Sequence, residues 1–146
     1  MIPAMRRFLA AAALLLAACA SLPGGAGSMG LRAEPHQYSP ALSSTPGIGF
    51  TTLFIPPPGV AVNYHWTTDF GYFVTWNPPN YVVLPRGADF NATEGRVYWT
   101  YDPRFIPDRK PTVTVVVSAE DAETGRVVAR RTVTLDWEHD TARVRD

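Results

Sequence analysis

The chain has few of the residues that build most catalytic and metal sites. Cys19 is its only cysteine, so no intrachain disulfide can form and the fold depends on a hydrophobic core. The histidines, His36, His65 and His139, are far apart and show no zinc-ligand spacing. Ser118 is the only serine after residue 45, and no Gly-x-Ser-x-Gly motif occurs. We therefore predict a protein with no catalytic residues, no metal and no cofactor.

Acidic residues leave two weaker alternatives open. Asp102, Asp108 and Asp121 fall in predicted loops, where β-sandwich modules often hold calcium, but no Asp-x-Asp-x-Asp-Gly loop is present. A pair of catalytic carboxylates is defined by its distance in space and leaves no fixed spacing in the sequence. A small hydrolase is therefore the least favoured hypothesis, but the sequence does not exclude it.

Positive charge is limited as well. The chain has 13 Lys/Arg and 13 Asp/Glu, and Lys110 is its only lysine. Residues 1–18 contain two arginines and no acid, so the remainder holds eleven Lys/Arg against thirteen Asp/Glu. Nucleic-acid-binding domains concentrate positive charge on one face. This charge balance predicts that nucleic acid is not a partner.

The first 19 residues have the organisation of an export signal. Arg6 and Arg7 precede an apolar run over residues 8–18, which is too short for the roughly 20 residues that cross a bilayer. The string Leu16-Ala17-Ala18-Cys19 resembles the lipobox of bacterial lipoproteins. The resemblance implies a helical signal peptide over residues 1–18, cleavage before Cys19, and attachment of lipid, including acyl chains such as palmitate, to Cys19.

The same resemblance predicts the location of the protein. Two or more acyl chains on one residue hold a protein stably at a membrane, whereas one chain does so only marginally. The residue after Cys19 is Ala20 and not aspartate, which resembles the outer-membrane default in bacteria with two membranes. We therefore expect a membrane-anchored lipoprotein of the cell envelope, in the outer membrane if the host has one.

The segment from residue 19 to residue 46 is rich in glycine and proline and has no apolar period. Such a composition cannot bury enough surface to offset its chain entropy. The sequence therefore predicts a flexible tether over residues 19–46, followed by a folded domain over residues 47–146.

Short β-branched and aromatic runs alternate with Pro, Gly, Asn and Asp clusters after residue 47, a pattern typical of strands and turns. We predict strands at 48–55, 61–67, 72–76, 81–84, 96–101, 112–119 and 126–137. About seven short strands in a hundred residues favour an all-β fold, a single antiparallel immunoglobulin-like β-sandwich.

Two predicted strands share the pattern Trp-Thr-x-Asp, which places Trp66 and Trp99 between the sheets and directs His65 away from the core. In the last strand, Arg131 shares the parity of the apolar residues. Either a β-bulge near Arg130 and Arg131 resets the face, which is the interpretation we favour, or Arg131 lies past the edge of the core.

A second resemblance concerns residues 81–137. Tyr98-Trp99-Thr100-Tyr101-Asp102, the Thr-Val alternation over residues 112–117 and the acidic turn ending in Gly125 are similar to PKD-type immunoglobulin-like modules of bacterial surfaces. The chain departs from that pattern at Asp102-Pro103-Arg104-Phe105, where those modules have a Gly-Asp-Gly turn. The resemblance implies a spacer, or a contact with proteins or glycans, and no catalytic residues.

Aromatic residues exceed what two buried tryptophans require. The surplus residues are Tyr72, Phe73, Trp76, Tyr81 and Trp137. They either all fill the sandwich or include an exposed binding surface, for which Tyr72, Trp76 and Tyr81 are the candidates, with the stiff loop Asn77-Pro78-Pro79-Asn80 between the last two. We therefore expect a lipid-anchored, non-catalytic binding or structural module whose partners are envelope proteins or wall glycan. The alternative is an accessory subunit of an envelope assembly that pairs through an edge strand.

Overall fold

The computed structural model describes residues 27–145 of the chain. This part contains twelve β-strands and a short 3-10 helix, Pro103–Phe105. The strands are β1 (Gly27–Ser28), β2 (Gly30–Ala33), β3 (Gln37–Tyr38), β4 (Ile48–Leu53), β5 (Val62–Thr68), β6 (Tyr72–Thr75), β7 (Leu84–Gly87), β8 (Asp89–Ala92), β9 (Arg96–Thr100), β10 (Val113–Asp121), β11 (Val127–Glu138) and β12 (Thr141–Arg145). Within these residues, no helix has the length and apolar character needed to cross a bilayer.

The strands form two sheets. One has the order β3-β12-β11-β10-β5-β8, with β1 also pairing with β11, and the other has the order β2-β4-β9-β6-β7. All pairings are antiparallel except that of β1 with β11. The prediction of an all-β fold with antiparallel sheets is confirmed.

A core fills the space between the sheets. Trp66 of one sheet packs on Phe50 and Phe73 of the other, with ring centroids 6.3 and 6.0 Å apart. Trp66 and Trp99 are both 0% exposed, as the sequence predicts. The sheets face one another because each has one apolar face. On strand β10, for example, alternate valines are buried and the residues between them point outward.

The predicted tether over residues 19–46 is wrong for residues 27–46. Gly27 lies opposite Ala129 in β11, β2 pairs with β4, and β3 pairs with β12. Met29 is 4% exposed where the chain passes from one sheet to the other. Backbone hydrogen bonds to distant strands hold this segment, so its low apolar content does not leave it free. The domain therefore begins at or before residue 27, and the predicted signal peptide and Cys19 lie outside the described residues.

The predicted set of seven strands is incomplete. Strands β1, β2, β3, β8 and β12 have no counterpart in it, and the strand predicted at 81–84 begins only at Leu84. Most of the missed strands have two to four residues, and their own composition carries little β preference. Their partners supply the hydrogen bonds that hold them.

The predicted bulge near Arg130 and Arg131 is also wrong. Pairing between β10 and β11 is regular through these residues, and the shift lies between Ala119 and Glu120, where Val128 is the additional residue. Arg131 stays on the parity of the core but is exposed, because it lines an open groove between the two sheets.

Candidate binding surface

The outer face of the five-stranded sheet carries a second apolar layer. Phe73 and Trp99 face the core, so alternation places Tyr72 and Val74 of β6, and Tyr98 of β9, on the opposite face. Val74 and Tyr98 lie directly opposite each other and are only 1% and 3% exposed. Other side chains must therefore cover this face from outside.

Trp76, which directly follows β6, supplies part of that cover. Its ring centroid lies 5.6 Å from that of Tyr98 and 5.0 Å from that of Tyr81, both edge-on. Arg96 flanks Tyr98 and donates a hydrogen bond to its hydroxyl, with Nη2 and Oη 2.8 Å apart. The structure thus brings two predicted residues, Trp76 and Tyr81, into contact and places the third, Tyr72, on the same sheet face.

A tight turn holds Tyr81 in place. Its amide donates to the carbonyl oxygen of Asn77, and its own φ of 49° is in the left-handed region that side chains other than glycine rarely adopt. Tyr81 is 53% exposed. The turn therefore fixes one side of the ring against Trp76 and leaves the other side open.

The residues after Tyr81 extend this exposed area. Val82, Val83 and Leu84 are 56%, 47% and 46% exposed, and Leu84 begins β7 at the edge of its sheet. We call this set, with Trp76 and Tyr81, the Trp76–Leu84 surface. Its aliphatic half is not among the predicted site residues, because 81–84 was predicted as a strand, although four successive apolar residues lack the alternation of a half-buried strand.

A polar cluster lies on the outer face of the other sheet. The Nε2 atom of His65 is 2.5 Å from an Asp89 carboxylate oxygen, and Nδ1 is 3.4 Å from a Glu120 carboxylate oxygen. Ser118 lies opposite His65 in the β5–β10 ladder but accepts a hydrogen bond from Arg130. Because carboxylates occupy both imidazole nitrogens, the cluster contains no serine activated by a histidine base.

Two of the three aspartates considered for calcium, Asp102 and Asp121, serve local backbone structure, and the third, Asp108, lies in the loop that joins β9 to β10. Asp121 accepts from the amides of Glu123 and Thr124 in the β10–β11 turn. Asp102 accepts from the backbone and guanidinium of Arg104, and these hydrogen bonds lower the pKa of its carboxyl to about 2. In the described part of the chain, no three His, Cys, Asp or Glu side chains are grouped so as to hold a metal ion.

A cavity of about 410 Å³ lies beneath the loop that joins β9 to β10, beside Tyr101 and Lys110. Lys110 forms an ion pair with Asp140, with Nζ and Oδ1 2.6 Å apart. Tyr101 is 2% exposed, packs edge-on against Trp137, and donates its hydroxyl hydrogen to the carbonyl of Asp140. These contacts fix the loop over one end of the core.

Tyr101 makes the stability of the domain pH-dependent in the alkaline range. Burial, with smaller effects of Tyr38 and Asp140, raises the pKa of Tyr101 from 10.0 to about 12. Because the pKa is raised in the folded state, the contribution of the protonated Tyr101 hydroxyl to the free energy of unfolding is complete below pH 10. It is lost as the pH rises from 10 to 12, by at most about 1.4 kcal/mol per pH unit. We expect Tyr101→Phe to be less stable than wild type at pH 8 and to lose less stability over that range. Urea unfolding of both proteins checks this, and parallel pH profiles would contradict it.

Comparisons of the chain with protein-family models, with curated proteins and with solved structures found no match.

Proposed function

We propose that the chain is a lipid-anchored cell-envelope protein whose domain is a non-catalytic binding module. The observation that carries this proposal is the Trp76–Leu84 surface, where four consecutive apolar residues are about half exposed beside a partly buried tryptophan. Contiguous exposed apolar patches on soluble domains are typical of interaction sites. The packed layer beneath it, with Val74 and Tyr98, keeps the surface rigid.

The order of the strands supports an immunoglobulin-like arrangement. In that fold, strands A, B, E and D form one sheet, and C, F and G form the other. Here β2-β4-β9-β6 and β5-β10-β11 have these positions in the same chain order, with β7 and β8 inserted between the fourth and fifth strands. Such sandwiches present loops and sheet faces to partners while the core remains constant.

The chemistry of the surface favours an envelope protein over wall glycan as the partner. The Trp76 and Tyr81 rings are 61° apart and do not form a common flat platform on which a sugar ring stacks. The rest of the surface is aliphatic and supplies no side-chain hydrogen bonds to hydroxyl groups. Interfaces between proteins have such apolar, uncharged centres with aromatic anchors.

Pairing through an edge strand has less support. The outermost strands of the two sheets, β2, β3, β7 and β8, have two to four residues each. Pro85 lies within β7 and lacks an amide hydrogen. Short edge strands and edge prolines are devices that prevent strand addition.

Variants of the surface test the proposed contact. We expect Val83→Asp to reduce recovery of the envelope partner at least about tenfold, equivalent to 1.4 kcal/mol of binding, because it buries a charge at the interface. The readout is crosslinking in intact cells followed by affinity purification. Phe105→Asp is the matched control, since Phe105 is 70% exposed but lies past the opposite end of β9. Equal recovery with both variants would contradict the proposal.

The anchor is tested separately. We expect Cys19→Ser to abolish globomycin-sensitive processing and to release the protein from membranes, because no thiol remains to carry the lipid. Fractionation with a carbonate wash measures this. Retention of the Cys19→Ser protein in the washed membranes would show that another element anchors it.

A further inference from the structure

One side of the sandwich has an opening between the sheets. Strand β1 pairs with Ala129 and Arg130 of β11, and β12 pairs with β11 only from Thr134 onward. Residues 131–133 therefore have no strand partner on this side among the residues described. The gap exists because the chain turns inward at Met29 and continues as β2 in the other sheet.

The opening is a groove of about 420 Å³ with an apolar floor. Leu31, Val133 and Val144 line it, and each of them is half-buried and packs against the core. These residues come from both sheets, so the groove leads from solvent to the core. The apolar side chains at the base of a groove of this size can accommodate the carbon chain of a small amphiphile, while its rim is polar.

The charged groups at the groove are cationic. Arg131 and Arg145 contribute to its lining, and no carboxylate does within the described part of the chain. Arg145 is neutralised by Asp136, with two N–O distances of 2.6 Å. Arg131 is exposed, and its guanidinium makes no hydrogen bond or ion pair with other described residues. An arginine fork without a partner suits phosphate recognition.

The position of the groove relative to Cys19 indicates where that phosphate comes from. Ser28, opposite Arg130, and Leu31, in the groove wall, lie on the segment that leads back toward Cys19. Gly27 follows Cys19 by eight positions in the chain, a span of at most about 29 Å. A lipid on Cys19 therefore keeps Gly27, which pairs with Ala129 on this side of the domain, within that distance of the membrane surface.

We propose that this groove binds an anionic phospholipid of the membrane in which Cys19 is anchored. Arg131 contacts the lipid phosphate, and the apolar floor accommodates the adjoining carbon atoms. This inference rests on the proposed lipid anchor, which determines the side of the domain that meets the membrane. The binding orients the domain so that the Trp76–Leu84 surface, on the outer face of the other sheet, stays accessible to a partner.

The test uses the full lipidated chain in an uncharged detergent. Thermal unfolding is followed by tryptophan fluorescence with added phosphatidylglycerol, phosphatidylcholine or inorganic phosphate. Of the three additives, we expect only phosphatidylglycerol to raise the Tm. We expect Arg131→Gln to weaken that response at least tenfold and Arg131→Lys to retain part of it, because lysine keeps the charge but not the fork. Arg126→Gln is the matched control, because Arg126 is exposed in the β10–β11 turn and does not line the groove.

Several outcomes would overturn the proposal. If phosphatidylcholine raises the Tm as much as phosphatidylglycerol does, the lipid's negative charge is not what the groove recognises. If inorganic phosphate raises the Tm as much as phosphatidylglycerol does, the site binds a free anion and not a lipid. An unchanged response in Arg131→Gln assigns binding to another surface. A further variant, Val133→Thr, is expected to weaken the response without changing the charge, and an unchanged response there contradicts the role of the floor. Because the lipid is added from solution, these results do not depend on whether Cys19 anchors the protein.

Discussion

Replacing Gly71 with alanine is expected to lower the free energy of unfolding by about 2–5 kcal/mol. Gly71 ends the turn between β5 and β6 and has a φ of 77°, in the left-handed region. A Cβ atom there would lie 2.9 Å from two indole carbons of Trp99 and closer still to the Thr100 carbonyl oxygen. The substitution therefore combines backbone strain with a clash against a core strand. Urea unfolding of the purified protein measures the loss.

Gly59 supplies the matched control. Its φ of 76° is almost identical, but a Cβ atom there would meet nothing within 4 Å. We expect Gly59→Ala to show only the conformational part of the cost, about 1–2 kcal/mol. The difference between the two variants isolates the clash with Thr100 and Trp99. Equal losses would show that the β5–β6 turn moves to accommodate the methyl group.

The sequence predicts best where local pattern and packing agree. The alternating valines of β10 and the acidic turn that follows predict the β10–β11 hairpin, and the Trp-Thr-x-Asp pattern predicts the burial of Trp66 and Trp99. In these segments, the residues that favour a strand are also the residues that fill the core. Local preference and tertiary structure therefore give the same answer.

The segments that the sequence does not predict depend on distant partners. Residues 27–33 contain glycine and little apolar surface. They nevertheless pair with β11, about a hundred residues later in the chain, and with β4, about twenty residues later. Half of the residues of strand β8, which has the sequence Asp-Phe-Asn-Ala, are typical of turns, and the strand is held by β5. Strand β12 does alternate, with Ala142 and Val144 turned inward, but its polar neighbours obscure that signal. A composition rule cannot detect hydrogen bonds to a strand elsewhere in the chain.

The candidate surface is predictable in part. The excess of aromatic residues around Asn77-Pro78-Pro79-Asn80 selects Trp76 and Tyr81, which touch in the structure. The exposed side of each ring is set by packing on Tyr98, which contacts Trp76. Tyr98 belongs to β9, a strand with buried residues on both faces. Burial on both faces of β9 results from packing across the sheet, and the sequence of either strand alone does not contain it.

The two central tryptophans are expected to differ in their tolerance of phenylalanine, although both are 0% exposed. The indole N–H of Trp99 donates to the Phe70 carbonyl oxygen at 2.8 Å and approaches the Thr68 hydroxyl at 3.2 Å. The N–H of Trp66 has no hydrogen-bond partner among the described residues. Trp99→Phe removes the partner of a turn carbonyl, whereas Trp66→Phe removes a donor whose burial was uncompensated.

We therefore expect Trp99→Phe to destabilise the domain by about 1–3 kcal/mol more than Trp66→Phe, since the two substitutions remove the same volume and differ in the hydrogen bond. Each variant serves as the volume control for the other, and chemical denaturation followed by far-UV circular dichroism measures both. Hydrogen exchange at the β5–β6 turn gives a second readout, in which only Trp99→Phe accelerates exchange near Phe70. If Trp66→Phe is the more destabilising of the two, the packing of Trp66 against Phe50 and Phe73 outweighs the Trp99 hydrogen bond. Hydrogen bonding at the turn would then not be what distinguishes the two core anchors.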